Sequence, residues 1–262
     1  MTILTTSYVD YQYLEKKILE SDLILVDIDG VIITPPQYLC SSHWYVDYLK
    51  NTNATNQSLE FKMKVVDDLY YCMSKTQFIL VDQGLVALLN KYSDTHAIVG
   101  LTGRTISFHS ETQNWIDRVG MEFSNHNFDV FYKDNVSILR SGIIYVGHDP
   151  YTSLPWDKGE ALGKFIKQYN KKVQNILFID DMMGNHMHMS KFCNNSDLEF
   201  FGLHFTKVAT HYDNQFQHET LRLIGEKQFD YLFHNDLAHI LSDEEAQKVL
   251  HYEACVAREE FL

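Results

Sequence analysis

Basic residues are in short supply. Lys and Arg number 22 against 35 Asp and Glu over 262 residues, a formal charge of −13 with histidine neutral. A field of that sign repels phosphate backbones, so DNA, RNA and anionic membrane surfaces are disfavoured as bulk partners. Cysteine is also scarce. Cys40, Cys72, Cys193 and Cys255 are widely scattered, with no CxxC pair among them. Their spacing argues against a structural zinc site and favours no disulfide framework, so they are read as free buried thiols. No stretch approaches the ~18 continuous apolar residues that a membrane-spanning helix needs. The opening MTILTTSYVDYQYLEKKILE lacks the basic start and apolar run of a Sec-type signal peptide. There is no internal repeat and no low-complexity tract. These absences set the expectation of a cytoplasmic protein with no nucleic-acid partner and no integral membrane segment.

What is present is ordinary for a globular chain: 45% hydrophobic and 22% charged residues. The length suits one large α/β domain, or a core with an inserted lid. Five short apolar runs recur: LILV before Asp27, AIVGL before Thr102, GIIYV at 142–146, NILFI before Asp180 and FFGLHF at 200–205. Continuous runs of this kind fit strands buried on both faces, as in a parallel sheet, and the helical stretches between them make βαβ units. One helix is expected over about 105–118, stopped by Gly120. Another begins at Asp157-Lys158-Gly159-Glu160, whose Asp and Glu have capping-box spacing. A later helix is expected to start from an N-cap at Ser242.

About 70 residues separate the first two runs, far more than a crossover requires. Between Tyr38 and Thr76 there is neither Gly nor Pro, and the segment is rich in aromatics. Residues 59–74, LEFKMKVVDDLYYCMS, read as an amphipathic helix. The expected organisation is therefore a core at 1–37 and 77–215, a helical cap insertion at 38–76 that is either a lid or extra packing on the core, and a helical extension at 216–262 packed on the core.

In open parallel sheets, ligands bind beyond the carboxyl ends of the strands. Three of the runs end there in polar groups: Asp27-Ile28-Asp29-Gly30, Thr102-Gly103-Arg104 and Asp180-Asp181. Each alone could be a turn or a helix cap. Together they gather carboxylates that repel one another unless a cation holds them. Oxygen ligands without thiolate point to Mg2+.

In these groups the chain resembles the haloacid dehalogenase superfamily of phosphohydrolases. Asp27-Ile28-Asp29-Gly30 matches its first motif, Thr102 its second, Lys158 its third, and Asp180-Asp181 its fourth. The resemblance spans about 22–206 and implies a Rossmann-like, doubly wound parallel sheet. It implies Asp27 as the nucleophile that forms an aspartyl phosphate, and Asp29 as general acid and base. Mg2+ would be held by Asp27, Asp180 and the backbone carbonyl of Asp29. Thr102 and the Gly103 amide would bind phosphoryl oxygens, with Arg104 reaching the substrate. Asp181 would act through water or orient the metal's surroundings, and Asn185 would steady them. The strings FIDDMMGN, FFGLHFTK and ILSDEEA are similar to a branch of that superfamily found in intracellular bacteria. That likeness implies export as a secreted effector and phosphotyrosine as a substrate.

Lys158 also has an argument of its own. It falls in the first turn of its helix, where a cation is disfavoured by ~0.3–1 kcal/mol unless an anion lies near. Lys164, the rival, lies deeper in that helix. His186 and His188 do not share a helix face, which argues against a histidine metal site. His148 and Asp149 precede a proline-containing loop beside the expected site. The reading is a magnesium-dependent phosphomonoesterase acting on a phosphorylated small molecule or phosphopeptide. The alternatives are a phosphomutase of the same fold, or an inactive module that keeps the fold for binding.

Overall fold

The structure, a computed structural model, describes residues 2–53, 56–124, 138–148, 156–169, 172–234 and 239–259. Its strands are β1 (Thr2–Thr6), β2 (Leu23–Val26), β3 (Ile33–Thr34), β4 (Ile79–Leu80), β5 (Ala97–Thr102), β6 (Ile138–Arg140), β7 (Ile143–Tyr145), β8 (Asn175–Asp180) and β9 (Glu199–Phe205). Its helices are α1 (Tyr11–Leu19), α2 (Ser42–Asn51), α3 (Leu59–Ser74), α4 (Gln83–Tyr92), α5 (His109–Val119), α6 (Lys158–Gln168), α7 (Met183–Asn195), α8 (Lys207–Gln215), α9 (His218–His234) and α10 (Asp243–Glu259).

Seven strands form one sheet in the order β1-β9-β8-β2-β5-β7-β6, and β3 pairs with β4 in a separate two-stranded sheet. Neighbours in the large sheet run parallel except β6 and β7. This is an α/β architecture compatible with a Rossmann-like fold. Every residue of β2 and β5 is buried, and all of β8 but its first. That accounts for runs that are apolar throughout rather than alternating. From β2 the chain moves to β5 and β7 on one side, then returns to β8 on the other. The strand order therefore reverses at β2, which brings the carboxyl ends of β2, β5 and β8 side by side.

The chain divides into two compact units, 1–34 with 80–208 and 35–79 with 209–262. The first carries the large sheet. Within the second, α3 buries Val65, Asp68, Leu69, Cys72 and Met73, the three- and four-residue spacing of an amphipathic helix. The insertion expected at 38–76 and the extension expected at 216–262 both fall in this second unit. A buried polar network links its two chain segments. The Asp243 carboxylate accepts from the Tyr38 amide at 2.8 Å and from Gln228 Nε2 at 2.8 Å. Gln228 in turn accepts from the Leu39 amide and donates to the Leu241 carbonyl. Trp44, Tyr48, Phe229 and Phe233 stack beside it.

Helix ends follow their local chemistry. Gly120 closes α5 in the left-handed conformation, φ 68°. Asp157 caps α6 by accepting from the Gly159 and Glu160 amides. The reciprocal capping box is found at α10, where Ser242 Oγ accepts from the Glu245 amide and Glu245 accepts from the Ser242 amide. Among the described residues no helix is long and apolar enough to cross a membrane. Of the four free cysteines, Cys40, Cys72 and Cys193 are buried. Cys255 is exposed, against expectation, in a stretch of α10 where residues 251–255 are all exposed.

A buried carboxylate cluster at the strand ends

The site is built within the first unit. β2 ends at Val26, and the Asp27 amide still donates to the Ile179 carbonyl of β8, so the backbone stays in the sheet while its side chain emerges. The chain then turns sharply: the Ile32 and Ile33 amides both donate to the Ile28 carbonyl, and the Gly30 amide donates to Ile33. Gly30 sits at φ 78°, and a Cβ there would collide with the Asp181 carboxylate. The glycine of DIDG thus meets two demands at once, a left-handed backbone and the close approach of a carboxylate.

Asp27, Asp180 and Asp181 each place a carboxylate oxygen within 4.8 Å of the others', all three buried. Lys158, 3% exposed, reaches Asp27 Oδ2 at 2.9 Å and Asp180 Oδ2 at 2.7 Å. Asp180 also accepts from the Met182 amide at 2.7 Å and from Asn185 Nδ2 at 3.0 Å. Asp27 Oδ1 accepts from the Ile28 amide at 2.8 Å. Asp181 differs, because among the described residues neither of its buried carboxylate oxygens has a hydrogen-bond partner.

The electrostatics are those of crowded anions. Burial pushes the Asp27 carboxyl well above the usual range, and Asp180 and Asp29 add to this while Lys158 opposes it. Burial likewise raises Asp181, with Asp180 and Asp27 next in weight. Burial would lower the Lys158 ammonium, but Asp180 and Asp27 outweigh it and hold the group charged. Were all three carboxylates ionised, the single ammonium would leave two negative charges uncompensated in a buried site, and burial together with that crowding is what raises Asp27 and Asp181. An orphaned buried carboxylate in such company fits a hard divalent cation held through oxygen. Asp27, Asp180 and Asp181 are the residues whose side chains could hold one.

Asp29 stands apart. Its carboxylate is gripped by Arg104, Nε to Oδ2 at 2.9 Å and Nη2 to Oδ1 at 2.6 Å. Arg104 is 3% exposed. It is fixed further by a bond from Nη1 to Thr112 Oγ1 and by the Trp115 ring, whose centroid lies 4.9 Å from Cζ. In this arrangement the residue expected to reach substrate holds the expected acid instead. Thr102 is fully buried, and its hydroxyl accepts from the Arg104 amide at 3.2 Å. Gly103 lies between them, half-buried. Burial lowers the His148 imidazole to about 4, with Asp29 nearby pulling the other way. Asp149 lies outside the described residues.

Two histidines brace the acidic pair from behind. His186 Nε2 lies 3.1 Å from the Asp180 carbonyl, and His204 Nε2 lies 3.0 Å from the Asp181 carbonyl. A carbonyl only accepts, so each Nε2 carries the proton. In both rings that nitrogen is spent on a backbone carbonyl. His186 is fully buried and packs against Gly202, where a Cβ would come within 2.6 Å of its Nδ1. His204 is not among the expected site residues. The β8–β9 register places it opposite Asp180, a pairing that no local spacing in the sequence discloses.

A family model described as "Protein of unknown function (DUF2608)" matches residues 6–247 of the chain, which therefore belongs to that family. No curated protein matches the chain.

Proposed function

We propose that this DUF2608 protein is a phosphomonoester hydrolase of the haloacid dehalogenase type, dependent on Mg2+. The observation that carries the reading is the buried Asp27–Asp180–Asp181 cluster with Lys158 inside it and the Asp181 oxygens unpartnered. A structural role leaves that combination unexplained, because like charges without partners cost stability. Asp27, Asp180 and Asp181 would hold the cation, with the Asp29 carbonyl as a further oxygen ligand. When bound, the cation supplies charge neutralisation between the nucleophile and the phosphoryl group.

The chain's own groups then have defined tasks. Asp27 attacks phosphorus, forming the carboxylate–phosphorus bond as the ester P–O bond breaks. Asp29 gives a proton to the departing alkoxide and afterwards takes one from the water that attacks the phosphoaspartate. For this the Asp29–Arg104 pair must open, and the released guanidinium becomes available to phosphoryl oxygens. The Thr102 hydroxyl and Gly103 amide supply further donors. Lys158 holds the Asp27 and Asp180 carboxylates in place and offsets negative charge that builds up on the phosphoryl group.

The reading is tested with an aryl phosphate. Hydrolysis is expected with Mg2+ and is expected to vanish after exhaustive metal removal. Calcium should replace it poorly, because it prefers more ligands at longer distances. Full turnover in excess chelator would overturn the metal assignment. Phosphate transfer to a sugar phosphate in preference to water would mark a mutase instead.

A further inference from the structure

The second unit contains a cavity of about 280 Å³, built by the stretch from Tyr38 through α2 and by one face of α9. That volume is at the low end of small-molecule sites, roughly 300–1,000 Å³. One wall is aromatic. Trp44 and Tyr48, one helical turn apart on α2, stack with centroids 5.1 Å apart and planes 15° apart. Phe229 of α9 lies 5.4 Å from Tyr48 and 6.2 Å from Trp44, centroid to centroid. Tyr38 and Trp44 are 2% and 4% exposed. Gly225 makes room for both: a Cβ there would come within 2.8 Å of Trp44 Cδ1 and 3.1 Å of Tyr38 Cδ1. Packing therefore fixes these rings before any ligand arrives.

The rest of the lining is charged. Asp47, Glu226 and Asp230 stand against one guanidinium, Arg222, which leaves two net negative charges with His218 neutral. Asp47 is the most sheltered of the three, its side chain 14% exposed against 50% for Glu226 and 58% for Asp230. Asp47 Oδ2 accepts from the Tyr38 hydroxyl at 2.7 Å and lies 3.2 Å from His218 Nε2. Burial first, and then the bond to Asp47, holds the Tyr38 phenol up, so its hydroxyl stays neutral and the Asp47 charge is not cancelled by it. Arg222 pairs with Glu226 one turn along α9. The three carboxylates do not converge as metal ligands do. Among the described residues only Asp27, Asp180 and Asp181 form such a group. An anion, phosphate included, would meet like charge here.

We propose that this cavity binds a small quaternary ammonium compound. Aromatic walls attract cations and pack against their methyl groups, and the surrounding carboxylates supply the opposing charge. The choice among cations follows from hydrogen bonding. A primary ammonium has three N–H groups to satisfy once water is expelled, whereas a quaternary one has none. The sheltered carboxylate oxygen, Asp47 Oδ2, is already engaged by Tyr38 and His218, so it offers field rather than a vacant acceptor. The site shares no residue with the carboxylate cluster of the first unit, and the inference stands whether or not that cluster hydrolyses phosphate esters.

The test is a calorimetric titration of the whole protein with three probes: choline, its neutral isostere 3,3-dimethylbutan-1-ol, and ethanolamine. Saturable binding of choline is expected, with a dissociation constant of about 1 mM for so small a ligand. The isostere should bind about 10-fold more weakly or not at all, because it keeps the shape and lacks the charge. Ethanolamine should also bind more weakly. No saturable binding of choline would overturn the proposal. So would equal binding of the isostere, which marks a merely apolar hole, or tighter binding of ethanolamine, which marks a primary-ammonium site. Two half-exposed residues locate the site without disturbing the buried rings. Asp230→Asn should weaken choline binding a few-fold, and Arg222→Gln, which removes the one guanidinium of the lining, should tighten it a few-fold. Trp44→Leu should weaken it by about 10-fold or more. If the Asp230 and Arg222 changes leave choline binding unaltered, it binds elsewhere and the assignment falls. That pair decides the location even if the Trp44 variant does not fold.

Discussion

The two units bury polar groups in opposite ways. In the second, Asp243 accepts from Tyr38 and Gln228, and Gln228 spends its own oxygen and amide on Leu39 and Leu241. That network is closed, and its outcome is a fixed joint between two distant chain segments. In the first, Asp27, Asp180 and Asp181 crowd together with Lys158 bridging Asp27 and Asp180, and Asp181 finds no hydrogen-bond partner among the described residues. A closed network explains itself as architecture. An open one persists only where something other than folding keeps it, because an unpaired buried charge is among the costlier features a fold can carry. The contrast is the ground on which chemistry is proposed for the first cluster and architecture for the second.

The largest expected effect falls on the proposed nucleophile. Asp27→Asn should lower aryl phosphate turnover by about 10⁴-fold or more, since nucleophile variants lose nearly the whole catalytic contribution of their site. Intact mass after an acid quench should show one phosphoryl group on the unsubstituted protein and none on Asp27→Asn. An adduct on the variant, or one mapped to another residue, would remove Asp27 from its role. Lys158→Ala should cost about 10²–10³ in rate, the scale of a lost charge-stabilising donor. Lys164→Ala, changed on the same helix but outside the cluster, should stay within a few-fold. Reversed effects would show that the lysine bridging Asp27 and Asp180 is not the one that serves the reaction.

Asp181 sharpens the comparison through stability rather than rate. Without metal, Asp181→Asn removes one of three crowded acidic groups, so the unfolding midpoint should rise by about 2–5 °C. The further rise on adding Mg2+, which the unsubstituted protein owes to binding in the folded state alone, should shrink or disappear. A variant less stable without metal, and equally responsive to Mg2+, would make Asp181 an ordinary structural carboxylate.

The carboxylate end of the sheet was legible in the sequence because its information is local. All five apolar runs end within a residue of the corresponding strand in the large sheet, and the acidic pair, Thr102 and Lys158 stand at element ends that their neighbours dictate. What was not legible depends on register and on distant partners. β1 is an exposed edge strand of mixed polarity, TILTT, with no apolar run to announce it. Arg104 is drawn to Asp29 by a turn that brings two strand ends together, so its guanidinium is turned away from the open role expected of it. His204 reaches the Asp181 carbonyl only because β9 pairs with β8 in one register. The grouping of 209–262 with 35–79 rests on hydrogen bonds such as Tyr38 to Asp243, which span nearly the whole chain and leave no periodic trace.

The smallest expected effect tests the closed network. Burial holds the Asp243 carboxyl above its ordinary value of 3.8, against the Tyr38 amide and Gln228, which favour the charged form. The sign follows from proton uptake. Between 3.8 and the raised value, the folded chain binds a proton at Asp243 that the unfolded chain does not, so acidification through that window stabilises the folded state. In Asp243→Asn the amide that replaces the carboxyl cannot titrate, and every other group cancels when the variant is compared with the unsubstituted protein. The stability of the unsubstituted protein relative to the variant should therefore increase from pH 7 to pH 4, by about 1 kcal/mol or less. Denaturant midpoints measured in parallel across that range give the difference directly. A relative stability that falls on acidification would mean that Asp243 is held ionised by its partners, as a closed charge-assisted joint would require, and burial would lose its place as the dominant influence there.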